Sequence, residues 1–261
     1  MEVVIQPTAD ALAGLAAAVV EGLARTKPDL VIGLATGSSP LAVYRALVRA
    51  HRSGTVSFDQ ARAFTLDEYV GLPDDHPERY RNVIRRDFAA HVDFAPGAVQ
   101  GPAGNAADLP GACEAYEAAI RRAGGVDVQL LGIGTDGHIA FNEPGSSFAS
   151  RTRIKTLTEQ TRRDNARFFQ GHVDAVPRHC ITQGLGTIME ARHVLLLACG
   201  SAKAEAVRQL VEGPVSAMWP ATILQHHPHT TVLLDKAAAS HLQLAAYYRQ
   251  VYEAKPAWQG L

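Results

Sequence analysis

Seven short stretches of the chain are β-rich, and several of them are apolar at consecutive positions instead of alternate ones. They are "VVI" at Val3–Ile5, "LVIGLA" at Leu30–Ala35, "ARAFTL" at Ala61–Leu66, "VDVQLLGI" at Val126–Ile133, "HCIT" at His179–Thr182, "HVLLLAC" at His193–Cys199 and "TTVLLD" at Thr230–Asp235. A strand with one wet face alternates apolar and polar residues; a run without alternation is covered on both faces. Helical patterns lie between most of the runs. In "PLAVYRALVRAHRSG", Ser39 is expected to cap, Pro40 to occupy the first turn and Gly54 to stop the helix. Strand and helix in alternation predict an α/β fold: a doubly wound, mostly parallel, Rossmann-like sheet of about seven strands with helices on both faces.

The 261 residues fit one such domain, 1–261, and no linker, repeat or low-complexity tract divides them. The rhythm breaks between Ser146 and Gln183. There "RTRIKTLT" alternates like an exposed strand and "TRRDNARFF" reads as a short helix. An insertion of this length, about 146–183, is expected to act as a lid or regulatory element.

Hydrophobic residues make up 47% and charged residues 20%, enough for a sizeable core. A formal net charge of −1 gives the whole molecule no pull toward nucleic acid or an anionic membrane, so any anion must be captured locally. Cys113, Cys180 and Cys199 are too few and too scattered for a disulfide framework, and Cys199 reads as a core residue. No basic-then-apolar leader opens the chain, and no apolar run nears the about 20 residues that span a bilayer, which predicts a cytoplasmic protein.

The stretch "LLGIGTDGHIAFNEPGSS", Leu130–Ser147, spells G-x-G-x-x-G at Gly132, Gly134 and Gly137. A dinucleotide turn must open a helix whose N-terminus holds the pyrophosphate. Here Pro144 and Gly145 follow too soon for a helix, and no acidic residue closes a second strand about 20 positions on. A catalytic loop fits better. Asp136 stands two residues from His138, and Glu143 is close enough to fold back on the imidazole. A carboxylate beside a histidine fixes its tautomer and favours its charged form, which suits proton transfer near neutral pH. The same three residues could ligate zinc, but no H-E-x-x-H or paired cysteine accompanies them. "QHHPH" at Gln225–His229 is expected to be an exposed helix end and turn. No metal and no cofactor is called for.

Ligands of open parallel sheets bind beyond the carboxyl ends of the strands. The polar clusters fall there: "TGSSP" at Thr36–Pro40, Asp67, the Asp136–His138–Glu143 loop, and "GSAK" at Gly200–Lys203. The backbone N–H groups and hydroxyls of Thr36, Gly37, Ser38 and Ser39 suit a phosphate, but without G-K-[ST] this is not a nucleoside triphosphate loop. Lys203 in the first turn of a helix opposes the macrodipole unless an anion sits there. Arg167 is a candidate third clamp. Asp67, among apolar neighbours, could be desolvated into a base; Glu68 competes with it, and the residues alone do not rank the two.

"LATGSSP", "LDEYVGLP", "GIGTDGHIAFNEP" and "SRTRIKTLT" together resemble the glucosamine-6-phosphate deaminases, over nearly the whole chain and weakening after about Asp235. The resemblance implies that glucosamine 6-phosphate and water give fructose 6-phosphate and ammonia, in amino-sugar degradation and N-acetylglucosamine utilisation, without metal or organic cofactor. The uptake of water suggests a hydrolase. It further implies that Asp67 moves a proton between C2 and C1, that His138 opens the sugar ring, and that Asp136 and Glu143 orient that histidine. Thr36, Gly37, Ser38, Ser39, Arg167 and Lys203 match substrate-binding positions, mainly around the phosphate. Some members are allosteric hexamers activated by N-acetylglucosamine 6-phosphate, and Ser146, Arg153, Lys155 and Thr156 resemble that site. A homo-oligomer is therefore expected, with Tyr247 or Tyr248 as the counterpart of an effector-contacting tyrosine; nucleic acid and membrane are not expected partners. Two rivals remain: a 6-phosphogluconolactonase, which needs no base at C2, and a sugar-phosphate sensor, which needs a DNA-binding segment not evident here.

Overall fold

Strand β1 (Glu2–Gln6) is the first of ten strands among the described residues. There follow β2 (Val31–Leu34), β3 (Arg62–Thr65), β4 (Asp67–Tyr69), β5 (Val99–Gln100) and β6 (Val128–Leu131). The last four are β7 (Arg153–Thr156), β8 (His179–Thr182), β9 (His193–Ala198) and β10 (Thr230–Asp235). The structure, a computed structural model, describes residues 1–261 apart from the side chain of Ala257.

Seven strands form one sheet in the order β1-β10-β9-β6-β2-β3-β5, with every neighbouring pair parallel. Both faces are covered, which is why the strand sequences do not alternate. Ile32, Leu34, Val128, Leu130, Leu195 and Leu197 pack toward helices Ala9–Thr26 and Leu41–Arg52. Val31, Leu131, Val194, Leu196 and Val232 pack on the other side toward helices Leu109–Arg122 and Ala204–Glu212. Truncating a leucine such as Leu47 or Leu210, wholly buried in one of these layers, would cost about 2–5 kcal/mol.

The remaining strands make a small antiparallel sheet, β4-β8-β7. This corrects one expectation: "HCIT" at His179–Thr182 is β8 of the small sheet, not a strand of the large one. The seventh strand of the large sheet is instead β5, whose two residues are too few for a periodic pattern. The 146–183 stretch carries β7, helix Glu159–Asn165, short 3₁₀ turns and β8.

The order of the large sheet reverses between β2 and β6. From β2 the chain steps outward to β3 and β5, then returns to β6 on the other side of β2 and proceeds to β9 and β10. A crevice opens at such a reversal, beyond the carboxyl ends of the two strands.

Three smaller expectations also change. Pro40, not Ser39, is the residue that flanks helix Leu41–Arg52, and no side chain caps that helix. Cys199 is only partly buried, against the edge of the core. Within "QHHPH", His226 and His229 are exposed, but His227 is buried with Nε2 2.7 Å from the carbonyl of Ala191. Among the described residues, no helix is long and apolar enough to cross a membrane.

Candidate active site

The crevice is a cavity of 770 Å³. The loop after β2 supplies one wall. Gly37 turns it at φ 96°, a conformation that favours glycine, and Thr36 to Ser39 all line the space. Because helix Leu41–Arg52 has no side-chain cap, the hydroxyl of Ser39 is free for a ligand.

The second wall begins where β3 ends. The chain leaves the large sheet at Leu66, whose N–H donates to the carbonyl of Leu34 at 3.1 Å, and enters the small sheet at Asp67. Asp67 is 6% exposed and lines the cavity. Burial holds its carboxyl well above the usual carboxylate range, and the charge of Glu68 pushes the same way. Glu68 points away from the cavity. It accepts hydrogen bonds from the N–H groups of Tyr69 (2.9 Å), Tyr80 (3.0 Å) and Arg81 (3.1 Å), so it caps helix Tyr80–Asp87, which has no cap from its own flanking residue. Adjacent carboxylates in an extended chain face opposite sides, and here they are divided between cavity and helix.

The loop after β6 brings the histidine. Nδ1 of His138 lies 2.6 Å from Oδ1 of Asp136, which also accepts from the His138 N–H at 3.2 Å. Burial would raise the Asp136 carboxyl, but hydrogen bonding and charge from His138 outweigh it and hold that carboxyl below its ordinary range. The imidazole lies over Gly134, in space a side chain there would need. Gly137 turns at φ 80° with Trp219 packed where its Cβ would be, 2.7 Å from Cε3. Ala140 sits at φ 51°, the left-handed region that non-glycine residues rarely adopt, and it too lines the cavity.

Glu143 is not beside His138. It is buried, and Oε1 accepts from the hydroxyl of Thr161 at 2.6 Å and from the N–H and hydroxyl of Thr158 at 3.3 Å. It thus ties the histidine loop to the start of helix Glu159–Asn165. Of the two carboxylates, only Asp136 lies within ion-pair distance of the ring.

Lys203 flanks helix Ala204–Glu212, and Arg167 extends from the 3₁₀ turn Ala166–Phe169; both reach the cavity. Burial and then the charge of Arg167 lower the Lys203 pKa from its ordinary value. The Arg167 guanidinium carbon stands 4.7 Å from the centre of the Phe168 ring. Tyr80, Asp164 and Asn165 also line the cavity and were not singled out from the sequence. Asn165 and Tyr80 both donate to the hydroxyl of Tyr69, at 3.0 and 3.2 Å, a cluster that no local pattern announces.

Ser146, Arg153, Lys155 and Thr156 lie outside this cavity. Ser146 is buried, and its Oγ has no hydrogen-bond partner. Arg153 and Lys155 are half-buried on one face of β7; Ile154 and Thr156 are exposed on the other. Tyr247 is exposed on helix Ala245–Glu253, and Tyr248 packs against the main core. Among the described residues, no three histidine, cysteine or acidic side chains converge as metal ligands.

A family model described as glucosamine-6-phosphate isomerases/6-phosphogluconolactonase matches residues 5–233. Proteins named glucosamine-6-phosphate deaminase from Mycolicibacterium smegmatis and Beutenbergia cavernae are 72% and 71% identical, each over 100% of both chains. A solved structure described as a monomeric glucosamine-6-phosphate deaminase superposes with a TM-score of 0.90 at 45% identity, covering 92% of this chain and 100% of that one. These names overturn the expected class of hydrolase. Isomerase and deaminase describe a hydrogen shift along an unchanged carbon chain with loss of ammonia, not the splitting of an ester, amide or glycoside by water.

Proposed function

The chain belongs to the family of glucosamine-6-phosphate isomerases and 6-phosphogluconolactonases, and on that premise we propose that it is a glucosamine-6-phosphate deaminase, converting glucosamine 6-phosphate and water into fructose 6-phosphate and ammonia. The observation that carries the reading is one cavity that receives both a buried carboxyl, Asp67, and an imidazole, His138, backed by its own carboxylate.

Those two groups divide the work. His138 exchanges protons with the ring oxygen and the C1 hydroxyl, opening the pyranose. Asp136 holds Nδ1, which leaves Nε2 for the substrate. Asp67 then takes the C2 proton and returns it at C1. As C2 loses its proton the C1 oxygen takes up one released by the C2 ammonium, giving an enolamine. Protonation at C1 lets the nitrogen lone pair form a C2 iminium, which takes up water and releases ammonia. The turn Thr36, Gly37, Ser38 and Ser39, with Lys203 and Arg167, lines the same cavity and holds the phosphate. Every step is a proton transfer or water addition that these side chains can serve without a metal or cofactor.

The 146–183 segment contributes Arg167 and is read as a lid. Ser146, Arg153, Lys155 and Thr156 are read as an effector site for N-acetylglucosamine 6-phosphate in a homo-oligomer, up to a hexamer, with Tyr247 or Tyr248 as an effector contact. The unpartnered Ser146 hydroxyl and the paired cations of β7 support the effector site. The monomeric relative weighs against assembly. A cytoplasmic setting suits a phosphorylated substrate. The deciding experiment is ammonia release from glucosamine 6-phosphate, run beside hydrolysis of 6-phosphogluconolactone. Activity on the lactone alone would replace this reading with the lactonase one.

A further inference from the structure

We infer that Thr182 and Gln183, at the carboxyl end of β8, are positioning residues that fix Asp67 and His138 relative to one another. The inference rests on the deaminase reading above and adds to it two residues that do not touch the cavity.

Toward the base, Thr182 stands in register with Asp67 across the β4–β8 ladder. The Gln183 N–H donates to the carbonyl of Leu66 at 2.8 Å, and its side-chain amide donates to the carbonyl of Thr65 at 3.0 Å. Thr65 and Leu66 are the last two residues before Asp67. The Thr65 carbonyl also accepts from the Tyr116 hydroxyl at 2.6 Å, which ties the junction to helix Leu109–Arg122.

Toward the histidine, the Thr182 hydroxyl accepts from the Phe141 N–H at 3.1 Å, and the Gln183 carbonyl accepts from the Asn142 side-chain amide at 2.8 Å. Phe141 and Asn142 close the turn that begins at His138, and the Asn142 amide returns to the carbonyl of Ile139 at 3.1 Å. Two consecutive residues therefore bind the approach to the base on one side and the exit of the histidine loop on the other. Thr65, Asn142, Thr182 and Gln183 are all buried, so no water replaces a lost partner. A slip at this junction moves one reacting group against the other while leaving the phosphate turn in place.

The test compares Thr182→Val, Thr182→Ser and Gln183→Met with the unaltered enzyme in ammonia release. Thr182→Val keeps the shape and removes the acceptor for Phe141; Thr182→Ser restores it. The expected result for Thr182→Val and Gln183→Met is a kcat lower by about tenfold to a hundredfold with KM changed by less than about threefold. Thr182→Ser should stay within about threefold of the unaltered kcat. Gln183→Met repeats the measurement independently if Thr182→Val does not fold. An unchanged kcat in the folded variants, a loss confined to KM, or an equal loss in the serine and valine variants would overturn the inference while the deaminase reading stands. An unaltered enzyme that releases no ammonia would overturn both.

Discussion

Asp67 carries opposite demands on one carboxyl. Its burial disfavours the ionised form that a base must have, so the folded pKa lies above the unfolded one. The sign follows: stability from the protonated form is complete below the unfolded value and is lost as pH rises through the folded value. Asp67→Asn should therefore melt higher than the unaltered chain at neutral pH, by about 2–4 °C for each kcal/mol relieved, and lose that advantage near pH 4. Calorimetry across that range checks it; a difference independent of pH would place the cost elsewhere. The same substitution should nearly abolish C2-proton exchange in deuterated water while substrate still binds, because the phosphate clamp is untouched. Exchange at the unaltered rate would remove Asp67 from the base role. Lys203→Ala and Arg167→Ala should instead raise KM, each by roughly 1.5–3 kcal/mol for a charge-assisted contact. Initial rates over a wide substrate range separate the two effects, and unchanged KM values would dissolve the clamp.

At the scale of elements, Glu117 anchors the inserted segment to the body of the fold. Its carboxylate accepts from the Thr152 N–H and hydroxyl (2.8 and 2.6 Å), from the Thr187 hydroxyl (2.5 Å) and from Arg151 (2.6 Å). Burial alone would raise its pKa, but these donors win and hold it below the ordinary range. Glu117→Ala leaves the Thr152 and Thr187 groups without an acceptor and should destabilise by about 3 kcal/mol, read as a drop in denaturation midpoint. What could be read from the chain beforehand depended on how local each signal was. The long strands of the large sheet were legible because burial on both faces leaves an uninterrupted apolar run. Strand β4 was not, since "DEY" is polar in sequence and buried only through its partners. Asp67 and Glu68 could not be ranked because their opposite orientations are set by β8, more than a hundred residues on. Glu143 was expected on His138, yet its partners Thr158 and Thr161 belong to the inserted segment, and nothing nearby in sequence announces them.

For the molecule as a whole, a net charge of −1 leaves no general attraction for anions, so the proposed substrate capture rests on the local cations Lys203 and Arg167. If β7 carries an effector site, N-acetylglucosamine 6-phosphate should raise velocity several-fold at low substrate, a coupling of about 1–3 kcal/mol, and Arg153→Ala with Lys155→Ala should erase it. Hyperbolic kinetics indifferent to that ligand would reject regulation and leave catalysis intact. Strand β1 bears on a different matter, the order in which a ribosome delivers this chain. Its only partner in the sheet is β10, which lies between it and β9. The first strand to emerge therefore waits unpaired until the last has been made. Every side chain that lines the cavity has been synthesised by Lys203, so a message cut short soon afterwards encodes the complete chemistry and an unfinished sheet whose β9 edge, covered by β10 in the whole chain, stands open. Such a fragment is expected to aggregate instead of turning over sugar.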